Sequence, residues 1–269
     1  MTAPSTPGSA GATARWLRRP RPRRDPAARL VCLPHAGGTA SVYSPWSDRL
    51  PAAIELIAVQ YPGRQDRLAE PPVSSVPRIA DAVAEALAPY TDRPLFLFGH
   101  SMGGLVAYEV AIRLEAGPGA DPAGLFVSGQ LAPHRSAPPE EALDDATVEA
   151  EAREAGWSDP VVFDHPELRE LVLPALLADV RASLTYHREE PVRLRAPIAA
   201  YGGLGDGGDV PGELAAWGEA TSGAAVWRAF DGDHFYLRPQ EAQLVADMVT
   251  RMSDWGVASV GLSEEKDRG

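Results

Sequence analysis

A short apolar segment that ends in a glycine-bounded serine is the feature that most constrains how this chain can fold. Residues 95–98 read as a buried strand, the turn Gly-His-Ser-Met-Gly follows at 99–103, and a helical pattern begins at Leu105. Glycines on both sides of Ser101 leave out the Cβ atoms that would clash in a sharp strand-to-helix turn. The hydroxyl then projects above the sheet, beside the free N–H groups of a helix N-terminus. The pattern predicts a nucleophile elbow rather than a purely structural glycine turn.

A serine nucleophile needs a histidine that takes its proton and a carboxylate that orients the histidine. The chain has six histidines, and His234 follows a strand-like segment at 225–230 through a turn-rich loop. His234 is therefore the expected base. The other five are interpreted as loop or core-facing residues near the serine, or as solvated surface residues of a polar, proline-broken stretch: His35 and His100, and His134, His165 and His187.

The carboxylate is expected at the end of an earlier strand, 197–201, which runs into a glycine-rich loop. That loop contains Asp206 and Asp209, and either could reach the imidazole of His234. Asp206 lies nearer the strand end and is the preferred acid. Asp231 and Asp233 lie too close to His234 along the chain to reach its far ring nitrogen, and they fit turn-forming roles. An acid in this place gives the nucleophile, acid, base order of the α/β-hydrolases.

A tetrahedral intermediate also needs N–H donors for its oxyanion. The strand-like segment 30–33 runs into the loop Pro-His-Ala-Gly-Gly at 34–38. A glycine-containing loop beside the elbow can present a backbone amide to the developing charge, so the amides of Ala36 and Met102 are the expected pair. The alternative is that 34–38 is only a tight turn.

Strand and helix patterns alternate along most of the chain, which predicts an α/β fold with a mostly parallel central sheet flanked by helices. The expected elements are strands at 54–60, 95–98 and 125–130 and helices at 76–87 and 105–114. From about 134 to 195 the alternation stops. This insertion contains an acidic helical segment at 140–155 and an apolar helix around 168–184 that Pro174 is expected to kink. Its place predicts a helical lid above Ser101 that shapes an acyl pocket, with an ordinary packed helical layer as the alternative.

Length and composition fit a single domain over residues 15–255. The chain has 269 residues, of which 45% are apolar, enough to bury one sizeable core. The segments 1–14 and 256–269 are small, polar or charged and are expected to be disordered. No apolar run reaches the length of about 20 residues that crosses a membrane, and no signal peptide is evident, so a cytoplasmic protein is expected. Cys32 fits a buried structural thiol, and no cysteine and histidine cluster suggests a metal.

The formal net charge of −12 argues against nucleic acid as a partner. An arginine-rich segment at 15–24 runs against this balance and could be a nucleic-acid arm. Its prolines, and the core strand that follows it at once, favour a solvated edge segment with Trp16 packed down.

The motifs taken together resemble the type II thioesterases of polyketide and nonribosomal peptide assembly lines. The resemblance covers about residues 15–255 and rests on four segments: Leu-Pro-His-Ala-Gly-Gly at 33–38, Tyr-Pro-Gly-Arg at 61–64, Gly-His-Ser-Met-Gly-Gly at 99–104 and Gly-Asp-His-Phe-Tyr-Leu at 232–237. It implies an α/β-hydrolase fold and a stand-alone hydrolase that works through an acyl-serine intermediate. Such an enzyme removes misprimed or stalled acyl groups from the phosphopantetheine arm of carrier proteins.

The same resemblance implies the triad Ser101, Asp206 and His234, with an oxyanion hole from the amides of Ala36 and Met102. It implies acyl-loaded carrier proteins as partners. The reaction needs no cofactor, and the glycine run at 202–208 lacks the residues of a phosphate loop or a dinucleotide-binding turn. No membrane partner is expected, and the protein is expected to be a monomer. One departure concerns the acid. The family pattern Gly-x-x-Asp-x-x-Val places the aspartate three residues before a valine, whereas the acid here stands four residues before one and a second aspartate intervenes.

Two other functions fit the same residues. A small-molecule carboxylesterase or lipase would use the same triad, and faster turnover of simple oxygen esters than of acyl-carrier thioesters would reveal it. A non-enzymatic partner of a synthase would retain the elbow as a relic. Loss of all cellular effect in a Ser101→Ala protein would count against that second function.

Overall fold

The computed structural model describes residues 15–137, 144–154 and 164–257. Segment 1–14 and most of 256–269, for which disorder is expected from sequence, lie outside the described residues. Within the described ranges, no helix combines the length and the apolar character needed to span a bilayer.

A seven-stranded sheet forms the centre of the molecule, in the order β1-β3-β2-β4-β5-β6-β7. Only the short edge strand β1 is antiparallel, and every other pairing is parallel. The fold class expected from the sequence is therefore confirmed. The strands are β1 (Leu17–Arg18), β2 (Ala28–Leu33), β3 (Ile54–Val59), β4 (Leu95–His100), β5 (Gly124–Ser128), β6 (Ile198–Gly203) and β7 (Ala225–Phe230).

Along the chain, helices connect successive strands of the sheet, as parallel strands require. They are α1 (Trp46–Arg49), α2 (Val76–Leu87), α3 (Met102–Ala116), α4 (Asp145–Glu154), α5 (Pro166–Leu184), α6 (Val210–Ala215) and α7 (Glu241–Asp254). The bounds of α2 and β7 match the sequence interpretation. The helix expected at 105–114 begins earlier, at Met102, because the elbow turns directly into it. The strand expected at 125–130 ends earlier, because Gly129 adopts a φ of +56°.

Alternation along each central strand sends side chains into two hydrophobic layers, one on each face of the sheet. In β2, Val31 and Leu33 belong to one layer, with helices α2 and α3. Leu30 and Cys32 belong to the other, with helices α1 and α7. Cys32 is fully buried, and burial raises the pKa of its thiol, so it is the structural thiol expected from the sequence.

The chain order of the strands creates a crevice at the carboxyl edge of the sheet. Strands β2 and β4 are neighbours, yet the chain leaves β2 toward β3 on one side and leaves β4 toward β5 on the other. In open parallel sheets, ligands bind outside the strand ends at such a switch point. The loops that follow β2 and β4 are therefore placed to form a site together.

The N-terminal basic segment is an edge element of the domain, as expected. Strand β1 pairs with β3, and the guanidinium carbon of Arg67 lies 4.4 Å from the ring centroid of Trp16. Arg18 and Arg19 form ion pairs with Asp66 and Glu55 of the same chain. These arginines are therefore engaged within the fold.

Helices α4 and α5 occupy the insertion for which a lid is expected. Its described residues form helices and contribute no strand to the sheet, and α5 runs through Pro174 without ending. Leu168 and Leu171 near the start of α5 are 40% and 50% exposed, whereas Leu176 and Val180 in its second half are fully buried. A Cβ added at Gly63, in the loop after β3, would lie 3.3 Å from the Cβ of Ala175. Helix α5 thus packs on the carboxyl-edge loops through its second half.

Candidate active site

Ser101 lies at the sharp turn between β4 and α3, in a backbone conformation that residues other than glycine rarely adopt. Its φ and ψ are 53° and −126°. Two hydrogen bonds hold the turn: the N–H of Ser101 donates to the carbonyl of Ser128 at 2.8 Å, and the N–H of Gly104 donates to the carbonyl of Ser101 at 2.7 Å. A serine that is held in such a strained conformation is typical of a nucleophile elbow.

The two glycines of the elbow are required by close backbone contacts. A Cβ at Gly99 would lie 1.9 Å from the carbonyl oxygen of Gly103, and a Cβ at Gly103 would lie 2.1 Å from that of Leu33. Neither position can hold another residue without moving the backbone. The contact with Leu33 also brings the end of β2 against the start of α3.

His234 and Asp206 meet above the ends of β6 and β7. The Nδ1 of His234 lies 2.8 Å from Oδ2 and 3.1 Å from Oδ1 of Asp206. Because a carboxylate accepts hydrogen bonds here, Nδ1 is the donor in this contact. Nε2 is buried and makes no hydrogen bond to the described residues. The imidazole is thus oriented by an acid at Nδ1, and its Nε2 has no partner among the described residues.

The loops that carry the acid and the histidine are joined to each other by backbone contacts. The N–H of Leu204 donates to the carbonyl of Phe230, and the N–H of Gly205 donates to that of Gly232, both at 2.8 Å. A Cβ at Gly203 would lie 2.2 Å from the carbonyl oxygen of Asp233. This close approach places Asp206 opposite the imidazole.

Asp209 does not reach the histidine, because it caps helix α6. Its Oδ1 accepts a hydrogen bond of 3.2 Å from the N–H of Gly212. An aspartate that precedes a helix often satisfies a free N–H in this way. Asp233 similarly accepts from the N–H of Phe235 within its turn, at 2.8 Å. Of the acids considered in the sequence, Asp206 is the one that the structure brings to His234.

The loop 34–38 lies beside the elbow, because Leu33 and Gly99 are paired in adjacent strands β2 and β4. Ala36 is buried in the same hydrophobic layer as Met102. Met102 is the first residue of helix α3, where N–H groups have no partner within the helix. The two segments that carry the expected oxyanion donors therefore converge near Ser101.

Two further histidines line the inner side of the site, at the loop and core positions expected for them. His35 and His100 are 7% and 0% exposed. Burial lowers the pKa of His35 to about 4 and lowers the pKa of His100 well below its usual range. His100 shares a hydrogen bond of 2.9 Å with Ser128, whose hydroxyl lies 2.7 Å from that of Tyr236.

For one histidine, His134, the prediction made from the sequence is wrong. His165 and His187 are exposed, as expected. The side chain of His134 is only 6% exposed and is bonded to Glu219 at 3.1 Å, so the description of His134 as a solvated surface residue is wrong. Its partner lies 85 positions later in the chain, and no local pattern signals that contact.

Sequence reasoning missed a buried ion pair that touches the loop 34–38. Asp179 of helix α5 and Arg64 are 1% and 7% exposed at their side chains. Arg64 stands in the segment Tyr-Pro-Gly-Arg, which contributed to the resemblance, but its partner lies 115 residues further along the chain. An acidic residue on the apolar face of a helical pattern was the one signal that could have indicated the pair.

Two openings lie near these elements. A groove of about 700 Å³ runs between α4 and α5, with Leu173, Leu177 and Ala178 among its lining residues and no triad residue. A second opening of about 380 Å³ is lined by Asp206 and His234. Within the described ranges, no group of three or more His, Cys, Asp or Glu residues is placed to hold a metal ion.

Comparison with known proteins identifies the family of this fold and site. The family model for the thioesterase domain matches residues 28–252. Thioesterase PikA5 of Streptomyces venezuelae is 42% identical over 237 residues, which cover 87% of this chain and 84% of that protein.

Two solved structures are similar over nearly their whole length. The type II thioesterase BorB from the borrelidin biosynthetic cluster has 37% identity and a TM-score of 0.78, with 88% of this chain and 97% of that chain covered. The thioesterase RedJ from the prodiginine pathway of Streptomyces coelicolor has 36% identity and a TM-score of 0.73, with 85% and 96% covered. The chain therefore belongs to the thioesterase family, and its resemblance to the type II thioesterases of the α/β-hydrolase superfamily is confirmed.

Proposed function

We propose that this thioesterase hydrolyses acyl groups from the phosphopantetheine arm of carrier proteins, with Ser101 as nucleophile, His234 as base and Asp206 as the acid that orients it. The observation that carries the proposal is the hydrogen bond of 2.8 Å between His234 Nδ1 and Asp206, which leaves a buried Nε2 without a partner at the edge that carries the elbow serine. The similar proteins BorB and RedJ come from the borrelidin biosynthetic cluster and the prodiginine biosynthetic pathway. This similarity supports an assembly-line carrier protein as the substrate.

The first half of the reaction forms the acyl-enzyme. Ser101 Oγ attacks the thioester carbonyl carbon, and its proton passes to Nε2 of His234. The N–H groups of Ala36 and Met102 stabilise the oxyanion of the tetrahedral intermediate. When the intermediate collapses, the C–S bond breaks, and the pantetheine thiolate accepts the proton that His234 took from Ser101.

The second half restores the serine. A water molecule gives a proton to Nε2 of His234 as its oxygen attacks the acyl-serine carbonyl. Collapse of the second tetrahedral intermediate breaks the C–Oγ bond, releases the carboxylic acid, and returns the proton to Ser101. Asp206 keeps the imidazole in the required tautomer throughout and stabilises the imidazolium that forms twice in each cycle.

Helices α4 and α5 form the lid in this proposal, over about residues 134–195 of a single domain that spans 15–255. The contact between Ala175 and the loop at Gly63 supports this position for α5. The groove between α4 and α5 joins apolar lining residues such as Leu173 and Leu177 to charged ones such as Glu149 and Arg169, and in this proposal its apolar part takes the acyl chain. We place the enzyme in the cytoplasm as a monomer; cell fractionation and size-exclusion chromatography test these two points.

Intact-protein mass spectrometry of loaded carrier proteins tests the function directly. Carrier proteins bearing acetyl, propionyl and longer acyl groups are incubated with the enzyme or with its Ser101→Ala variant. We expect loss of the acyl mass, with the pantetheine arm retained, only with the unsubstituted enzyme. Hydrolysis of simple oxygen esters without any loss from carrier proteins would instead indicate a carboxylesterase. No turnover of either substrate class would indicate a non-enzymatic partner.

A further inference from the structure

Helix α5 carries a buried carboxylate that the reaction steps above do not use. Asp179 is 1% exposed, and its Oδ2 accepts a hydrogen bond of 2.8 Å from the backbone N–H of Gly37. Its Oδ1 accepts from Nη2 of Arg64 at 2.9 Å, and its Oδ2 accepts from Nη1 of the same guanidinium. A buried carboxylate is costly unless it is paired and hydrogen-bonded, and here both requirements are met.

The Ala36–Gly37 peptide group is held at both of its polar atoms. Its carbonyl oxygen lies 2.8 Å from Nδ1 of His35, and its N–H donates to Asp179. His35 is the donor in the first contact, because a carbonyl oxygen only accepts. The orientation of this peptide group limits the backbone rotation of Ala36, whose own N–H is the proposed oxyanion donor. Gly37 continues the turn at a φ of +72°.

Arg64 holds the same loop at a second point. Its Nη1 donates to the carbonyl of Gly38 at 3.3 Å, and the hydroxyl of the adjacent Tyr61 donates to the carbonyl of Pro34 at 3.2 Å. Although burial alone lowers the pKa of Arg64, the charge of Asp179 offsets this and leaves the pKa raised. Arg64 therefore stays charged and neutralises a carboxylate that would otherwise oppose negative charge near this loop.

We infer that Asp179 is a positioning residue for the oxyanion hole: it fixes the Ala36–Gly37 peptide from helix α5, so the hole is complete only while α5 is seated on the loop. The inference rests on the proposed function and deepens it. Displacement of α5 would leave the Gly37 N–H and the Arg64 guanidinium without this partner, and Ala36 would gain rotational freedom. The position of the lid helix and the competence of the catalytic centre are thereby coupled.

Steady-state kinetics of an Asp179→Ala variant on an acyl-pantetheine thioester test the inference. Loss of one oxyanion donor outright costs about 100-fold to 1,000-fold in kcat. Loosening a donor should cost less, so we expect kcat to fall by about tenfold to 100-fold, with KM changed by less than about threefold. Asp179→Asn keeps an acceptor for the Gly37 N–H, so its kcat should exceed that of Asp179→Ala.

The control is a second buried carboxylate that is also paired with arginine. Glu55 of β3 is fully buried and pairs with Arg19 and Arg29, away from both helix α5 and the loop 34–38. Glu55→Ala should lower the melting temperature while kcat stays within about twofold of the unsubstituted enzyme. A common fall in kcat for both variants would mean that general destabilisation explains the effect, and it would overturn the inference.

A double variant covers the case in which Asp179→Ala does not fold. Replacement of a buried ion pair by apolar side chains is often neutral or stabilising, so Arg64→Met combined with Asp179→Leu should fold while it removes the acceptor for Gly37. We expect it to show the same loss of kcat. If Asp179→Ala or the double variant folds and its kcat equals that of the unsubstituted enzyme, the inference is overturned.

A fluorophosphonate probe separates this inference from the proposed function. Its reaction with Ser101 also develops negative charge on an oxygen in the oxyanion hole, but it needs no thioester substrate. We expect Asp179→Ala to slow labelling of Ser101 by about tenfold or more, and unchanged labelling would overturn the inference. If the unsubstituted enzyme is labelled but turns over no thioester, the proposed function fails while the positioning role of Asp179 still stands.

Discussion

The imidazole rings of His100 and His234 lie 4.9 Å apart, centroid to centroid, at an angle of 44°. Burial holds the pKa of His100 well below its usual range. His100 is therefore neutral at neutral pH. A charged neighbour at this distance would oppose the imidazolium that His234 must form when it takes a proton. Neutral His100 thus supports His234 as a base.

Stability should fall in mild acid because of these buried histidines. The pKa of His35 is about 4 in the fold, against an ordinary value of 6.5, so between these values the unfolded chain binds a proton that the folded chain does not. Stability is then full above about pH 6.5 and is lost as the pH falls toward 4, by up to about 3 kcal/mol for His35. Urea unfolding at several pH values measures this slope.

His35→Gln provides the comparison for this pH dependence. The variant lacks the titrating ring, so its stability should fall less steeply than that of the unsubstituted protein from pH 6.5 to 4. Equal slopes in the two proteins would show that His35 is not the source.

Asp206→Asn should lower acyl-thioester hydrolysis by at least about 100-fold, because an amide at Nδ1 favours the wrong tautomer of His234. Asp209→Asn is the matched control. Asparagine caps a helix about as well as aspartate, so this variant should lose less than about fivefold in activity. Kinetics of the two purified variants measure the difference. The reverse ranking would assign the acid role to Asp209.

Gly99→Ala should disrupt the elbow, since the added Cβ would lie 1.9 Å from a backbone oxygen. We expect a loss of about 3 kcal/mol or more in unfolding free energy and no labelling of Ser101 by a fluorophosphonate. At Gly104 the nearest atom to an added Cβ is 3.4 Å away, so Gly104→Ala should remain folded and within about 1 kcal/mol. Similar behaviour of both variants would contradict the steric explanation.

The elbow could be predicted from sequence because its requirements are local. Gly99 and Gly103 flank Ser101 within one turn, and the surrounding periodicity changes from strand to helix at the same place. His234 could be predicted for a similar reason, because it follows a recognisable strand. In both cases a few consecutive residues carry the whole signal.

The choice of acid and the partners of Asp179 depend on tertiary contacts that no local pattern encodes. Asp206 and Asp209 leave the same strand, and the backbone bond from Gly205 to Gly232 decides which faces the imidazole. The bonds of Asp179 span 115 and 142 residues. Apolar spacing along α5 likewise looks the same for a lid as for a packed layer.

Ala178→Leu tests the lid interpretation of α5. Ala178 lines the groove between α4 and α5, so a larger side chain there should shorten the range of acyl chains that the enzyme accepts. Leu171→Ala, at a position on the same helix that is 50% exposed, serves as the control and should leave chain preference unchanged. A lower melting temperature with unchanged preference in Ala178→Leu would make α5 an ordinary packed layer.

Rapid-quench mass spectrometry of the acyl-enzyme tests the central claim most directly. The enzyme is mixed with an acyl-carrier protein, quenched in acid within milliseconds and digested, and each peptide is searched for the mass of the acyl group. We expect the acyl group on the peptide that contains Ser101, and its absence in Ser101→Ala. Thioester turnover with the acyl group on a different residue, or with no acyl-enzyme and full activity in Ser101→Ala, would contradict the account.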